Sequence, residues 1–234
     1  MSVAENIAEV RGRIATAARR GNRDPDSIRL MAVTKTFPAE AIQQAYDAGA
    51  RLFGENRVQE FSAKAAALRD LEGAEWHLIG HLQSNKAAKA AEVFHAVDSV
   101  DSLRLAEKLN NAALNLDKQL PILIEINVGG EEAKSGIDPN SLELEELLKV
   151  AVRLDQLQFC GLMTIPPFTE DPQEARPFFR RLRELRDRIA GRDLPGINLD
   201  VLSMGMSHDF EVAIEEGSTC VRLGSAIFGE RYKH

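Results

Sequence analysis

Cysteine, tyrosine and long apolar runs are all scarce in this chain of 234 residues, and each shortage removes a class of protein. Its two cysteines, Cys160 and Cys220, sit inside the apolar stretches LQFCGLM and STCVRLG. They read as buried reduced thiols, which excludes a disulfide framework and makes a metal or redox role a poor fit. No stretch approaches the roughly 20 apolar residues that a membrane helix needs. Residues 1–20 scatter charges at helical spacing where a secretory signal would carry an apolar core. The expected location is therefore the cytoplasm. Positive charge is short as well. The 29 basic and 36 acidic side chains leave a net charge of −7, which works against non-specific binding to nucleic acid. The arginines from Arg176 to Arg192 alternate with Leu182, Leu185, Ile189 and acidic residues, so they read as the solvated face of an amphipathic helix. There is no linker, low-complexity stretch or sequence repeat, and one domain over 1–234 is the simplest organisation.

What is present is a short apolar run, a polar loop and a helical period, repeated from end to end. Strands are expected at 29–34, 51–54, 76–79, 94–97, 122–127, 157–163, 199–203 and 219–223. Helical stretches fall between them at 39–48, 58–71, 103–114, 142–154, 172–190 and 210–216, several closed by a glycine such as Gly49, Gly73, Gly191 or Gly217. Strict alternation of strand and helix calls for a parallel sheet covered by helices. Eight such units in a chain of this length fit a (β/α)8 TIM barrel, of class α/β, with an extra N-terminal helix at 2–20 expected to cap one end. A doubly wound open sheet is the competitor, but the Gly-rich dinucleotide fingerprint is missing after the first strand.

Barrel enzymes and binders collect function at the C-terminal ends of their strands. Those positions are Lys35, Glu55-Asn56, Gly80 to Lys86, Asp98-Ser99, Asn127 with Lys134-Ser135-Gly136, Met163-Thr164, Ser203 to Ser207, and Arg222 to Ser225. Lys35 ends the apolar strand LMAVTK; desolvation there would leave a neutral amine able to form a Schiff base with an aldehyde. A lysine that snorkels to the rim, or pairs with Glu55, is the plain alternative. The turn Ser203-Met204-Gly205-Met206-Ser207 leads towards a short helix near His208 or Asp209, and Gly224-Ser225 ends the last strand. Loops in these two places often bind phosphate in barrels, with glycine admitting the anion to the backbone and the Ser203 and Ser225 hydroxyls donating. Ordinary loop glycines and a serine cap would look the same. Both loops opposite a strand-end lysine favour a phosphorylated aldehyde. Arg222 alternates with Val221 and Leu223, so it points into the barrel if they point out. It would meet either a ligand nitrogen or a barrel carboxylate such as Glu125. His77 reads as a barrel-lining histidine satisfied by hydrogen bonds or as a ligand contact, and His81 as a loop residue at the pocket mouth.

The segments AVTKTFP around Lys35, FGENRVQE at 53–60, EWHLIGHLQSNK at 75–86 and INVGGEEAKSGI at 126–137 resemble the pyridoxal phosphate homeostasis proteins. CGLMTIP at 160–166, LSMGMSHDFEVAI at 202–214 and STCVRLGSAIFGER at 218–231 continue the resemblance in the same order. That family is similar to the N-terminal barrel of alanine racemase, a fold-type III pyridoxal 5′-phosphate (PLP) barrel. The resemblance implies PLP held covalently on Lys35 as a Schiff base. It also implies phosphate held by Ser203, Gly205, Gly224 and Ser225, a pocket lined by Asn56 and Met163, and Arg222 facing the pyridine nitrogen. Arg57 stands where many relatives have tyrosine, and Ser225 where threonine is common.

The family's role implies a carrier and buffer in intracellular vitamin B6 homeostasis, with PLP-dependent apoenzymes as partners. The charge balance and lack of long apolar runs argue against a nucleic-acid or membrane partner, and the lack of an apolar stripe beyond the barrel makes a monomer the default. The alternatives are a PLP-dependent amino-acid racemase and a barrel lyase using Lys35 directly. A racemase needs an acid or base on each face of the substrate carbon. The only tyrosines are Tyr46, within a helix, and Tyr232, near the end of the chain, and the residues after the last strand are too few to form a second domain. No catalytic or metal-ligating residue is assigned.

Overall fold

A capping box starts the first helix: the Ser2 hydroxyl accepts from the Glu5 N–H, and the Glu5 carboxylate accepts from the Ser2 N–H. This helix, α1 (Val3–Arg20), buries one stripe made of Ile7, Val10, Ile14, Ala17 and Ala18. The computed structural model describes residues 1–131 and 135–229; Lys134 and Tyr232 lie outside them. Eight strands follow: β1 (Arg29–Val33), β2 (Leu52–Glu55), β3 (Glu75–Leu78), β4 (Ala96–Val100), β5 (Leu120–Glu125), β6 (Leu157–Met163), β7 (Ile197–Ser203) and β8 (Cys220–Leu223). Each pairs in parallel with the next, and β8 returns to β1 with Arg29 beside Cys220 and Met31 beside Arg222, so the sheet closes into a barrel in sequence order.

Between the strands lie α2 (Ala39–Asp47), α3 (Val58–Lys64), α4 (Ala87–Val93), α5 (Leu103–Asn115), α6 (Leu142–Val150), α7 (Arg176–Ala190) and α8 (Phe210–Glu215), with α9 (Ser225–Phe228) after the last. The main core sits between sheet and helices; a smaller one of Met31, Val33, Leu52, Ile79 and Cys220 lies on the other side of the strands. On α7, Phe179, Leu182, Leu185 and Ile189 are buried while Arg176, Arg180 and Arg183 pair with Glu216. The arginine-rich stretch is thus a face of ion pairs, as its spacing implies.

Three sequence expectations change. The N-terminal helix does not cap a barrel end. It packs against α2, α8 and α9, held by Arg13 to Glu211 (2.9 Å) on α8, Arg11 to the Gly49 carbonyl (2.9 Å) and Asn6 to the Ile227 carbonyl (2.8 Å). The reason is steric: α9 has four residues, too few to cover the seam between β8 and β1, and the apolar stripe of α1 fills that place in the helical ring. The strand expected at 94–97 runs from Ala96 to Val100, because Phe94 ends α4 and joins the stack of Phe61 and Trp76 outside the barrel. Asp98 and Ser99 therefore lie within the strand, and Asp101 follows its end. The helix α4 is also new; its sequence AAKAAEV is so rich in alanine that it carries almost no apolar period.

Truncating Ile7, which is 1% exposed, should lower the stability of the whole barrel by about 2–5 kcal/mol in denaturant unfolding. A loss below about 0.5 kcal/mol, the scale of a surface change, would show that α1 is an appendage.

Candidate functional site

The turn after β1 carries Lys35 and is tied down from α3. Lys64 Nζ donates to the Thr34 carbonyl (3.0 Å) and the Phe37 carbonyl (3.2 Å) and pairs with Glu55 (2.7 Å) and Glu60 (3.3 Å). The Thr34 hydroxyl donates to Glu55, and the Thr36 N–H donates to Glu60. Glu55 is thus the partner of Lys64, and its pKa is raised because it is buried, despite these bonds. Thr36 has φ +68°, a value that a β-branched residue adopts only when its surroundings force it. This local strain lies next to Lys35, which is itself half-buried and faces a cavity of about 550 Å³ at the C-terminal mouth of the barrel.

Asn56 follows β2 and also lines the cavity. Gly80, after β3, must be glycine here: a Cβ would stand 2.3 Å from the Asn56 carbonyl oxygen. Ser207, Gly224 and Ser225 line the cavity as well. Gly224 lies against β1, where a Cβ would meet the Val33 carbonyl at 3.5 Å, so the lysine strand and the last strand's end form one wall. The turn after β7 passes through Gly205 at φ +96°, and a Cβ there would be 2.6 Å from that of Ala213. Glycine serves the turn, which brings Ser207 to the cavity with its Oγ accepting from the Ala226 N–H (3.2 Å). Asp209, which precedes α8, turns its carboxylate back to accept from the Met206 N–H at 2.6 Å and so ties the turn together.

Arg222 does point into the barrel, and Val221 and Leu223 point out to the helices. It is 3% exposed. Nη1 donates to Ser203 Oγ (2.8 Å) and Nη2 to the Thr164 carbonyl (2.7 Å). Burial lowers its pKa, though a guanidinium stays charged throughout the physiological range. The alternative of an ion pair with Glu125 is not formed. Glu125 lines the cavity at the end of β5, 5% exposed, and burial pushes its pKa up to about 7. Its Oε2 has no hydrogen-bond partner.

Of the residues singled out from sequence, Lys35, Asn56, Arg222, Gly224 and Ser225 come together around this cavity. Ser203 and Met163 are fully buried beside it and Gly205 shapes the turn; none of the three is among its lining residues. Sequence reasoning named Ser207 only as the end of the turn and Glu125 only as a possible partner of Arg222, and assigned neither to the pocket that both line. Ser207 closes the small-residue turn and was visible as a second hydroxyl; Glu125 could be found only as an acid in an apolar strand.

His77 belongs to the opposite end. It lines a second cavity of about 560 Å³ with Asp98, Glu75, Arg29, Cys160 and Cys220, so it is no contact of the first. Its Nδ1 is 3.0 Å from Asp98 and its Nε2 3.7 Å from Glu75. Burial disfavours the imidazolium, but the Asp98 carboxylate outweighs it and raises the pKa to about 9. His77 and Arg29 in turn hold Glu75 down to about 2. Burial pushes the Cys220 thiol up to about 12, so it is inert as expected. His81 lines the first cavity and bonds Asp101 at 2.7 Å. Among the described residues no group of side chains could hold a metal ion.

The chain matches the family of the alanine racemase N-terminal domain over residues 5–232. It is 45% identical over 231 residues to the pyridoxal phosphate homeostasis protein of Aquifex aeolicus, covering 99% of each chain. The structure of PipY from Synechococcus elongatus with PLP bound superposes with a TM-score of 0.85 at 39% identity, over 97% of this chain and 100% of that one. Alanine racemase from Streptomyces coelicolor shares the fold alone, with a TM-score of 0.72 at 20% identity over 97% of this chain and 58% of the other.

His77 fixes one pH dependence. Its folded pKa lies above the usual histidine value of about 6.5, so its contribution to stability is complete below that value and is lost as pH rises through about 9. Unfolding free energy should fall by roughly 1–3 kcal/mol across this window, and His77→Gln should lack the fall. An equal fall in both proteins would show that His77 is not the titrating group.

Proposed function

Because the chain belongs to the alanine racemase N-terminal domain family and, within it, to the pyridoxal phosphate homeostasis proteins, we propose that it holds PLP covalently through Lys35. In this reading it buffers the vitamer and passes it to PLP-dependent apoenzymes, as a one-domain cytoplasmic monomer. The observation that carries the reading is a single cavity where Lys35 and Arg222 meet Ser207, Gly224 and Ser225. The donors suit a phosphorylated aldehyde. When bound, PLP would supply an electrophilic aldehyde carbon, and the Lys35 amine would be the group to hold it.

Each residue has a separable task. The Lys64 clamp fixes the turn, so Lys35 Nζ meets its target without a search through rotamers of a loose loop. Ser207 and Ser225 offer hydroxyl donors to an anion, and Gly224 leaves the backbone open beside them. Arg222 presents a permanent cation to the cavity floor, with two of its nitrogens anchored on Ser203 and Thr164. It donates and does not surrender a proton, so a ring nitrogen placed against it would stay unprotonated. That weakens the electron sink on which racemisation depends.

The carrier reading is favoured over the racemase by the position of Tyr46. Its hydroxyl donates to the Glu72 carbonyl at 2.8 Å, in the last turn of α2 and away from the mouth where Lys35 sits. No helix among the described residues is long and apolar enough to cross a membrane.

The purified protein should absorb visible light, lose that band on borohydride reduction, and yield a modified Lys35 peptide by mass spectrometry. Lys35→Ala should lack the band yet still bind PLP through the phosphate contacts; a band that survives would name another lysine. Arg222→Ala should weaken PLP binding about tenfold or more, the scale of one hydrogen bond to a charged group. Unchanged affinity would make Arg222 a purely structural residue. Stoichiometric formation of D-amino acids by the pure protein would overturn the carrier reading.

A further inference from the structure

Glu125 is the group at this site that nothing in the proposed chemistry uses. It ends β5, the strand diametrically opposite β1 in the ring of eight, and so faces the Lys35 wall across the cavity. Only 5% of it is exposed, and its Oε2 takes no hydrogen bond. No hydrogen bond links it to the nearby guanidinium: the terminal nitrogens of Arg222 are directed to Ser203 and Thr164. A buried carboxylate left in this position is unfavourable unless it is protonated or a ligand supplies a donor.

We propose that Glu125 couples retention of the cofactor to a proton: the cavity holds an anionic phosphate ester while this carboxyl is neutral, and loosens its hold when the carboxyl ionises. The inference rests on the reading of the cavity as a PLP site. Four elements surround the group. Asp101, after β4, faces it with a negative charge and opposes ionisation; Arg222 on β8 and His81 after β3 favour it. The neighbouring end of β6 presents Met163 and Thr164, which do not titrate. Burial is the largest influence, and the balance leaves the carboxyl changing state at about pH 7. A phosphate ester sharing one cavity with the ionised carboxylate is repelled, because partial burial leaves the two charges poorly screened. Binding above this pH then takes up one proton on Glu125, and release returns it.

The test uses pyridoxine 5′-phosphate, which carries an alcohol in place of the aldehyde and forms no bond to Lys35. Calorimetric titration of the full chain and of Glu125→Gln at pH 6.5 and 8.5 compares their dissociation constants. The wild-type constant relative to that of the variant should rise about tenfold between the two pH values, the effect of a one-unit pKa change on binding. A ratio that stays constant overturns the inference. Asp101→Asn gives a second measure that keeps Glu125 intact: removing its negative neighbour should move the midpoint of the wild-type transition to lower pH, and an unmoved midpoint also overturns it. Should neither wild type nor variant change the absorbance of added PLP, the cofactor reading fails and takes this inference with it, a result distinct from a flat ratio with normal binding.

Discussion

A guanidinium buried at the centre of the barrel sets the constraint on which the site depends. Arg222 on β8 must find acceptors where water is excluded, and it takes them from Ser203 at the end of β7 and Thr164 just beyond β6. Three consecutive strand ends are thereby fixed relative to one another. The turn from β7 then has to leave at a defined angle, through Gly205 at φ +96°, and it delivers Ser207 beside Gly224 and Ser225. The closing pair of β8 with β1 carries the same geometry across to Lys35.

The two mouths of the barrel use opposite electrostatics. At the N-terminal end, His77 is a charged partner for Asp98, and Arg29 for Glu75, so these four charges are paired within the protein. At the C-terminal end, Glu125 keeps an oxygen without a partner, and the turn beside Lys35 holds Thr36 in a backbone region that costs of order 1–3 kcal/mol. An unpartnered carboxylate oxygen and a strained turn thus lie at the end that holds the Lys35 cavity. The compensated end serves stability.

Much of the fold was legible because strand and helix periods differ and the alternation is regular. Every expected strand has a counterpart, and the errors are local. The expected helices at 58–71 and 142–154 are α-helical only to Lys64 and Val150, each finishing in a 3-10 turn. A seven-residue helix made mostly of alanine leaves no period to read, and Phe94 reads as part of a strand because an apolar residue looks the same on either side of a helix end. At the site, Lys35, Asn56, Arg222, Gly224 and Ser225 were legible from strand-end position and side-chain alternation. Ser203 and Ser207 were not separable, since two hydroxyls in one turn differ only in which way the turn sends them.

The sequence by itself determined the eight parallel units, the inward direction of Arg222 and the place of Lys35 at a strand end, because these follow from periods of 2 and 3.6 residues along the local chain. Tertiary structure alone decided that α1 fills the seam between β8 and β1, that Ser207 reaches the cavity while Ser203 holds the arginine, and that Glu125 titrates near neutrality. Each of these depends on residues distant in sequence competing for the same space or the same charge. No local pattern encodes the outcome of that competition.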